Sequence, residues 1–361
     1  MKKRLMRILL CGVTVTALLA GCGSKTETKE EKKDDSKTEE KEEASNVTAD
    51  AVDKKKVYVS PEWVQSVIDG NQEESDDYVI LECSWGTEDD SPVYGEGHIP
   101  GAVHMNTDDV ESEEYWNLRT PEEYKTLMAD FGITKDTTVI CYGDTGISSA
   151  DDRVALAMLW AGVENVKCLD GGMESWARTD YKVETGTNSP QKSEGEFGVE
   201  IPAHPEYIMS LEEVKEKLES DDNFKLVSIR SEQEFLGETS GYGYIDRAGE
   251  PKGAIWGHDT DDGSYTNEDG TTVSIDVLEG FLKESDASLE NELSFYCGTG
   301  WRAAIPFLIC YENGYENVTL YDGGWFQWQM NDELPAQIGD PKTDDCEYTT
   351  VGELSTDMAA K

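Results

Sequence analysis

The stretch Gly314–Trp328, GYENVTLYDGGWFQW, occurs in a second form at Gly162–Trp176, GVENVKCLDGGMESW. The two align without a gap, and eight of the fifteen positions are identical: Gly, Glu, Asn, Val, Asp, Gly, Gly and Trp. A repeat of this length predicts two copies of one domain. We place the copies at residues 57–182 and 205–340, with a polar, Pro- and Gly-rich linker at 183–204.

Short apolar runs alternate with helical patterns within each copy. Two helix starts are marked by capping residues, Ser60 before Pro61 and Ser210 with Glu213 three residues later. The predicted strands are continuously apolar, as in YVILEC, TTVICY, LSFYC and VTLYDGG, which is typical of strands buried on both faces. The sequence therefore predicts an α/β fold, with two domains that are each a mostly parallel sheet covered by helices on both faces.

The N-terminus predicts export and membrane attachment. Residues 1–22 combine a basic head, an apolar stretch and small residues before Cys22, which is the pattern of a secretory signal. Their end, LAGC, resembles the lipobox of bacterial lipoproteins, in which the cysteine is lipidated and becomes the mature N-terminus. An ordinary signal or a short membrane anchor is the alternative. Residues 23–56 are dense in charge and poor in apolar side chains, so we expect a flexible tether. The expected location is the outer face of a bacterial cell membrane.

Composition narrows the choice of partners. The formal net charge of −45 argues against nucleic acid as a partner, and residues 341–361 read as an acidic tail. There are eight cysteines, but no CxxC or HExxH pattern and only four scattered histidines. Neither a disulfide scaffold nor a structural metal site is expected.

The loop Cys297–Arg302, CGTGWR, lies between a predicted strand and a predicted helix. Ligands of parallel α/β sheets bind at the carboxyl ends of the strands, and Cys297 stands at such an end. Gly298 and Gly300 let the backbone turn its amides inward, while the N-terminus of the helix and Arg302 add positive charge. These features favour the thiolate of Cys297, which is the nucleophilic form. The alternative is a buried structural cysteine in a Gly-rich turn.

These residues resemble the tandem-domain rhodaneses, sulfurtransferases that act on thiosulfate or 3-mercaptopyruvate. The resemblance covers about Tyr58 to Pro341. It is carried by HIPGA at His98–Ala102, by LDGGMESW and YDGGWFQW at the ends of the copies, and by the six-residue loop CGTGWR. In this family the C-terminal copy is normally the catalytic one.

The resemblance implies a ping-pong reaction through Cys297. Its thiolate takes the outer sulfur of a small anionic donor, becomes a persulfide, and passes the sulfur to a thiol or to cyanide, with no metal or organic cofactor. The amides of residues 298–302 then stabilise the anionic sulfur. The binding residues implied are Gly298, Thr299, Gly300, Trp301 and Arg302 in the loop, together with Arg230, which ends the strand KLVSIR.

Several alternatives remain at this stage. Arg230 is either a donor-binding residue or part of a surface salt bridge, because Ser228 stands where the family has Asp. The second copy has Glu250 in place of the histidine of HIPGA, which predicts a local rearrangement. The loop does not select between thiosulfate and 3-mercaptopyruvate. The alternative function is a non-catalytic sulfane-sulfur carrier or sensor. A cysteine phosphatase is less favoured, because the loop of this chain is one residue shorter than the loop of those phosphatases. Cys141 is the candidate for a second nucleophile; alignment on the strand tyrosines places it one residue early, so we expect the first copy to be non-catalytic.

Overall fold

The computed structural model describes residues 56–89, 91–143 and 149–360, which belong to one compact unit. The predicted signal segment 1–22, Cys22 and all of the tether except Lys56 lie outside the described residues. No helix of the part that is described is both long enough and apolar enough to cross a membrane.

In its described residues, the first copy has five strands and five α-helices. Its elements are β1 Tyr58–Val59, α1 Pro61–Ile68, β2 Tyr78–Ser84, α2 Pro92–Glu96, β3 Val103–Asn106, α3 Pro121–Phe131, β4 Thr138–Gly143, α4 Ala150–Ala161, β5 Asn165–Leu169 and α5 Gly172–Ala177. The five strands form one sheet in the order β1-β5-β4-β2-β3, and every pairing in it is parallel.

The second copy repeats this arrangement. Its elements are β6 Ile208–Met209, α6 Leu211–Ser220, β7 Phe224–Ser228, α7 Glu232–Phe235, β8 Glu250–Pro251, β9 Ile255–Trp256, α8 Ile275–Glu284, β10 Glu292–Tyr296, α9 Trp301–Glu312, β11 Val318–Tyr321, α10 Gly324–Trp328, β12 Pro335–Ile338 and β13 Glu347–Thr350. Its parallel sheet has the order β6-β11-β10-β7-β9, so β10 takes the central place that β4 has in the first copy.

Both sheets are buried on two faces. Because neighbouring side chains of a strand point in opposite directions, they pack in different apolar clusters. In β2, Ile80 packs with α1 and α5, whereas Leu81 packs in the cluster that contains α3 and α4. Ser60 caps α1, and Ser210 with Glu213 forms the capping box of α6. The fold class expected from the apolar strands, a parallel sheet with helices on both faces, is therefore confirmed.

The two copies share a core, and an aspartate of the repeated motif in each copy accepts a hydrogen bond from the other copy. Helices α4 and α9 pack in the same apolar cluster. Asp170, in the first DGG, accepts the backbone N–H of Thr272 at 2.7 Å, and Asp322, in the second, accepts that of Leu118 at 2.8 Å. The repeated aspartate of each copy thus binds the other copy, which places the first copy against the loop that follows β10.

Residues 341–360 of the segment that we expected to be an acidic tail beyond the second domain pack on that domain instead. Strand β13 pairs with β12, and β12 pairs with β8, in an antiparallel sheet that the sequence did not predict. Val351 and Leu354 are buried beside these strands. The acidic composition of the segment gave no indication of this packing, because only two of its described apolar residues are buried. The β8 strand also contains Glu250, so the divergent GEPKGAIW segment keeps its place in the fold.

Candidate active site

Cys297 follows directly after the central strand β10, and the helix α9 begins four residues later at Trp301. Gly300 has a φ of +97°, a left-handed conformation that favours glycine, and it turns the chain into the helix. Its backbone N–H donates to the Cys297 Sγ at 3.2 Å. The sulfur therefore lies at the positive end of a twelve-residue helix and accepts an amide hydrogen bond, an arrangement that stabilises negative charge on sulfur.

The DGGW motif at the end of the second copy holds this loop in place through backbone hydrogen bonds. The N–H of Trp325 donates to the carbonyl of Cys297 at 2.9 Å, and that of Phe326 donates to the carbonyl of Gly298 at 3.0 Å. A Cβ on Gly324 would lie 2.3 Å from the Gly298 oxygen, so only glycine permits this approach. The carbonyls of Cys297 and Gly298 are thus both bonded to α10, and the loop amide that the structure shows at the sulfur is that of Gly300.

The ring of Tyr242 covers the same loop on its other side. A Cβ on Gly298 would lie 2.3 Å from the Tyr242 Cζ, so the absence of a side chain at 298 makes room for the ring. Cys297 is only 1% exposed under this cover. Gly298 and Gly300 thus act through their backbone, one by admitting Tyr242 and the other by its N–H.

Arg302 is buried and its positive charge is already compensated. Its guanidinium donates to both carboxylate oxygens of Glu234, at 3.0 and 2.9 Å, and to Asp259 at 2.9 Å. The Tyr242 hydroxyl accepts a further bond at 2.7 Å. We expected Arg302 to supply a free cation for an anionic donor. It lines the pocket beside the loop, but two carboxylates share its charge.

Arg230 does not face that pocket, and it is not part of a surface salt bridge either. It is fully buried, and it donates to Glu234 at 3.2 Å, to Glu250 at 2.8 Å and to the carbonyls of Ser240 and Gly249. The predicted surface salt bridge is therefore corrected, because Arg230 forms ion pairs in the interior with Glu234 and Glu250, while its role in donor binding stays a prediction. The reason is the local sequence, because Glu250 replaces the histidine of HIPGA and gives the guanidinium a buried partner.

The carboxyl groups of this interior network differ in their pKa. Burial alone would raise the pKa of Glu234, but Arg230 and Arg302 outweigh it and lower that pKa to about 2. For Glu250, burial dominates over Arg230 and raises the pKa to about 7. Its carboxylate also accepts a hydrogen bond from the Tyr296 hydroxyl.

The first copy contributes a second buried network next to the loop. Arg153 donates from Nε to Glu111 at 2.8 Å and from Nη2 to Asp322 at 2.5 Å. Its guanidinium also fills the space beside Gly300, where a Cβ would lie 3.0 Å from Nη1. The Trp301 Nε1 donates to Glu111 at 2.8 Å. Burial raises the pKa of Glu111 to about 7, although Arg153 and Trp301 oppose this and Asp322 adds to it.

A pocket of about 490 Å³ opens over the loop at the junction of the two copies. From the second copy come Tyr242, Tyr244, Asp261, Thr299, Trp301 and Arg302, and from the first come Trp85, Asp108, Glu111, Trp116 and Ser149. Three of the predicted loop residues, Thr299, Trp301 and Arg302, are thus brought together at one cavity.

Cys141 lies inside strand β4 and is fully buried, as its register relative to Tyr142 predicted. It is paired in register with Cys168 on β5. Burial raises the pKa of Cys83 and Cys168 well above that of a free thiol, which disfavours their nucleophilic form. Residues 144–148, which follow β4, lie outside the described residues. Among the residues that are described, no group of His, Cys, Asp and Glu is arranged to hold a metal ion.

Sequence reasoning missed the partners of the arginines. Glu234 had a visible signal, because Ser231 and Glu234 have the capping-box spacing that the structure confirms. Glu111 and Arg153 had none, since their role depends on the packing of one copy against the other. The pocket tyrosines, Tyr242 and Tyr244, belong to a Gly-rich loop with no periodic pattern.

Comparison with known proteins agrees with this geometry. The Rhodanese-like domain family matches residues 60–179 and 210–331. The thiosulfate sulfurtransferase YnjE of Escherichia coli (strain K12) is 40% identical over 289 residues, which cover 78% of this chain and 65% of that protein. The chain therefore spans slightly less than two thirds of YnjE. The 3-mercaptopyruvate sulfurtransferase of the same strain is 28% identical over 286 residues, covering 78% of this chain and 97% of that protein.

Two solved structures are similar over most of the described chain. The crystal structure of YnjE has a TM-score of 0.73 and 40% sequence identity, covering 79% of this chain and 68% of that one. A structure of an EanB variant in complex with ergothioneine also has a TM-score of 0.73, with 34% identity, covering 80% of this chain and 71% of that one.

Proposed function

We propose that this chain, a member of the rhodanese-like family, is a sulfurtransferase whose reaction passes through a persulfide on Cys297. The observation that carries the proposal is the environment of the Cys297 sulfur. It follows the central strand, accepts the Gly300 N–H and lies at the N-terminus of α9. These features stabilise a thiolate before transfer and an anionic persulfide after it.

In the first half-reaction, the Cys297 thiolate attacks the outer sulfur of thiosulfate or the thiol sulfur of 3-mercaptopyruvate. A bond forms between the two sulfurs, and sulfite or the pyruvate enolate leaves with the electron pair of the broken bond. In the second half-reaction, a thiol or cyanide takes the outer sulfur and Cys297 departs as a thiolate. No metal or organic cofactor enters either step.

The first copy serves as a wall of the site and not as a second catalyst. Its nearest cysteine candidate, Cys141, is buried inside β4. Its contribution is the side chains of Glu111, Trp116 and Arg153, which reach the catalytic loop or its pocket. The proposed enzyme therefore has one nucleophile in two domains.

The proposed location is the outer face of a bacterial cell membrane, with the chain lipid-anchored through Cys22. This part of the proposal is supported by the sequence of residues 1–22 and by the charged segment that follows. Labelling of the expressed protein with a radioactive fatty acid tests it. Incorporation that the Cys22→Ser variant loses is expected, and equal incorporation in both would refute the anchor.

Turnover with each donor tests the reaction. The purified chain is supplied with thiosulfate or 3-mercaptopyruvate and with cyanide, and the thiocyanate formed is measured. We expect many turnovers per protein, lost in Cys297→Ser and largely kept in Cys141→Ser. Equal loss in both variants would contradict a single active copy. One persulfide per chain without turnover would identify a sulfur carrier instead of an enzyme.

A further inference from the structure

The pocket over the catalytic loop contains more carboxylates than cations. Asp108, Glu111 and Asp261 line it, and Arg302 is the one arginine or lysine among the lining residues that are described. Asp261 lies 3.9 Å from the Arg302 Nε, and this guanidinium already donates to Glu234 and Asp259. A cation that enters therefore meets an attractive acidic wall, whereas a small anionic donor depends on the Gly300 amide and the N-terminus of α9 beside Cys297.

The other side of the pocket is aromatic. The ring centroid of Trp116 lies 4.8 Å from that of Tyr244, and Tyr244 lies 5.4 Å from Tyr242. Trp85 and Trp301 add two further rings to the lining. Trp85 is 67% exposed and Tyr244 is 51% exposed, so large aromatic surfaces face solvent at the cavity. Several ring faces next to carboxylates are the usual environment of a bound ammonium group.

Trp116 is held in this wall at a cost to its backbone. Its φ is +54°, which is rare for a bulky side chain and is found where surrounding structure enforces it. The enforcing contacts are present: its N–H donates to the Ser112 carbonyl, and its own carbonyl accepts from Arg153 at 3.1 Å. The ring also lies 4.7 Å from that of Phe326, on the helix that fixes the catalytic loop.

We propose that the sulfur acceptor of this enzyme is a small cationic nucleophile. Its ammonium or quaternary ammonium group binds in the pocket, with the rings of Trp116 and Tyr244 on one side and the carboxylates of Asp108 and Asp261 on the other. The inference rests on the proposed function, because the acceptor discharges the Cys297 persulfide. The outer sulfur of a persulfide lies about 2 Å beyond Sγ, and the loop that begins with Cys297 contributes Thr299, Trp301 and Arg302 to the lining of this pocket.

The transfer needs no oxidant or reductant. A thiolate on the cationic acceptor attacks the outer sulfur, and a new sulfur–sulfur bond forms on the acceptor. The bond to Cys297 breaks, its electron pair stays with Cys297, and the cysteine returns as a thiolate. The fixed positive charge of the acceptor remains against the acidic wall throughout.

The test compares three acceptors with the same two-carbon chain. Cys297 persulfide is prepared on the full-length chain with thiosulfate or 3-mercaptopyruvate, and its loss is followed by mass spectrometry. Thiocholine is the cation, 2-mercaptoethanol the neutral thiol and 2-mercaptoethanesulfonate the anion. Rates are expressed per thiolate, since the three thiols ionise differently. We expect thiocholine to exceed the sulfonate about tenfold, and added salt to reduce that ratio.

A matched pair of tyrosines tests the site. Tyr244 and Tyr348 are both about half exposed, but only Tyr244 lines the pocket. Tyr244→Leu is expected to lower the ratio of thiocholine to sulfonate rates about threefold, whereas Tyr348→Leu leaves it unchanged. Equal effects of the two substitutions, or equal rates for the cation and the anion in the wild-type chain, would overturn the inference.

Binding without chemistry separates this inference from the proposed function. Tetramethylammonium chloride is titrated calorimetrically into the chain against sodium chloride at the same ionic strength. Saturable binding, weakened by Tyr244→Leu, is expected. If the cation binds but no persulfide ever forms on Cys297, the proposed function fails and the cation site stands. If persulfide forms and turns over but the cation does not bind, the cation site is refuted.

Discussion

Replacing Glu234 by glutamine should destabilise the second domain strongly, because this one carboxylate serves two buried guanidinium groups. Its oxygens accept from Arg302 at 3.0 and 2.9 Å and from Arg230 at 3.2 Å. Its side chain is 4% exposed. Glutamine has nearly the same shape, but it removes the negative charge and turns one acceptor oxygen into a donor that faces N–H groups.

Two independent estimates of the loss agree. Removing one member of a buried ion pair typically costs about 3–5 kcal/mol. Holding the pKa of Glu234 near 2 instead of its ordinary 4.5 corresponds to roughly 3 kcal/mol by linkage. Since this folded-state pKa is depressed, the stabilisation is present above pH 4.5 and is lost as the pH falls through about 2. For a chain of this size, we expect a Tm lower by roughly 5–10 °C at pH 7.

The assay is thermal unfolding of the wild-type chain and Glu234→Gln at a series of pH values. Glu232→Gln is the matched control, because Glu232 is an exposed residue of the same short helix. The difference in Tm between wild type and Glu234→Gln should shrink between pH 4.5 and 2, where the wild-type carboxylate becomes protonated. A loss no greater than that of the control, or a difference that does not change with pH, would refute the reasoning.

Three further predictions concern the loop, Asp322 and the pocket. Gly298→Ala should lower the kcat of sulfur transfer about a hundredfold by displacing Tyr242, whereas Gly280→Ala, with no atom within 4 Å of the new Cβ, should leave it unchanged in the same assay. Asp322→Asn should lower the free energy of unfolding by roughly 3 kcal/mol in urea titrations, because it leaves a buried guanidinium with one carboxylate fewer. The constant for inhibition of sulfur transfer by tetramethylammonium should fall about threefold as the pH rises through 7. The reason is that Glu111, whose pKa is raised to about 7, then becomes negative. Glu111→Gln should remove this pH dependence, and the same pH profile in the variant as in the wild type would contradict the prediction.

The sequence was sufficient for the fold because its signals are local or repeated. Continuously apolar runs such as YVILEC identified parallel strands, and the repeated DGG identified the two copies. Cys297 was recognisable for the same reason, since strand, glycines and helix stand next to one another. The register argument also placed Cys141 inside its strand, where the structure has it.

The electrostatics of the site were not predictable in the same way. The sequence shows that Arg230 and Arg302 are cations, but their effective charge depends on Glu234, Glu250 and Asp259, which approach only in the folded chain. Composition likewise described residues 341–361 as acidic, while their place is decided by two buried side chains and backbone pairing. Properties that depend on long-range packing leave no pattern along the chain.

The hydrogen bonds that Asp170 and Asp322 form between the two copies have an evolutionary consequence. After a duplication, the copy that no longer performs chemistry is ordinarily released from selection and drifts. In the proposed enzyme the first copy nevertheless remains constrained, because it supplies Arg153 and Glu111 beside the loop that contains Cys297. Because the two copies contribute different parts of the site, the second copy can retain the reaction while the pocket wall of the first copy changes to suit new substrates. Sequence change among descendants of this ancestor should therefore be greater in the Trp85 and Trp116 wall than in the CGTGWR loop.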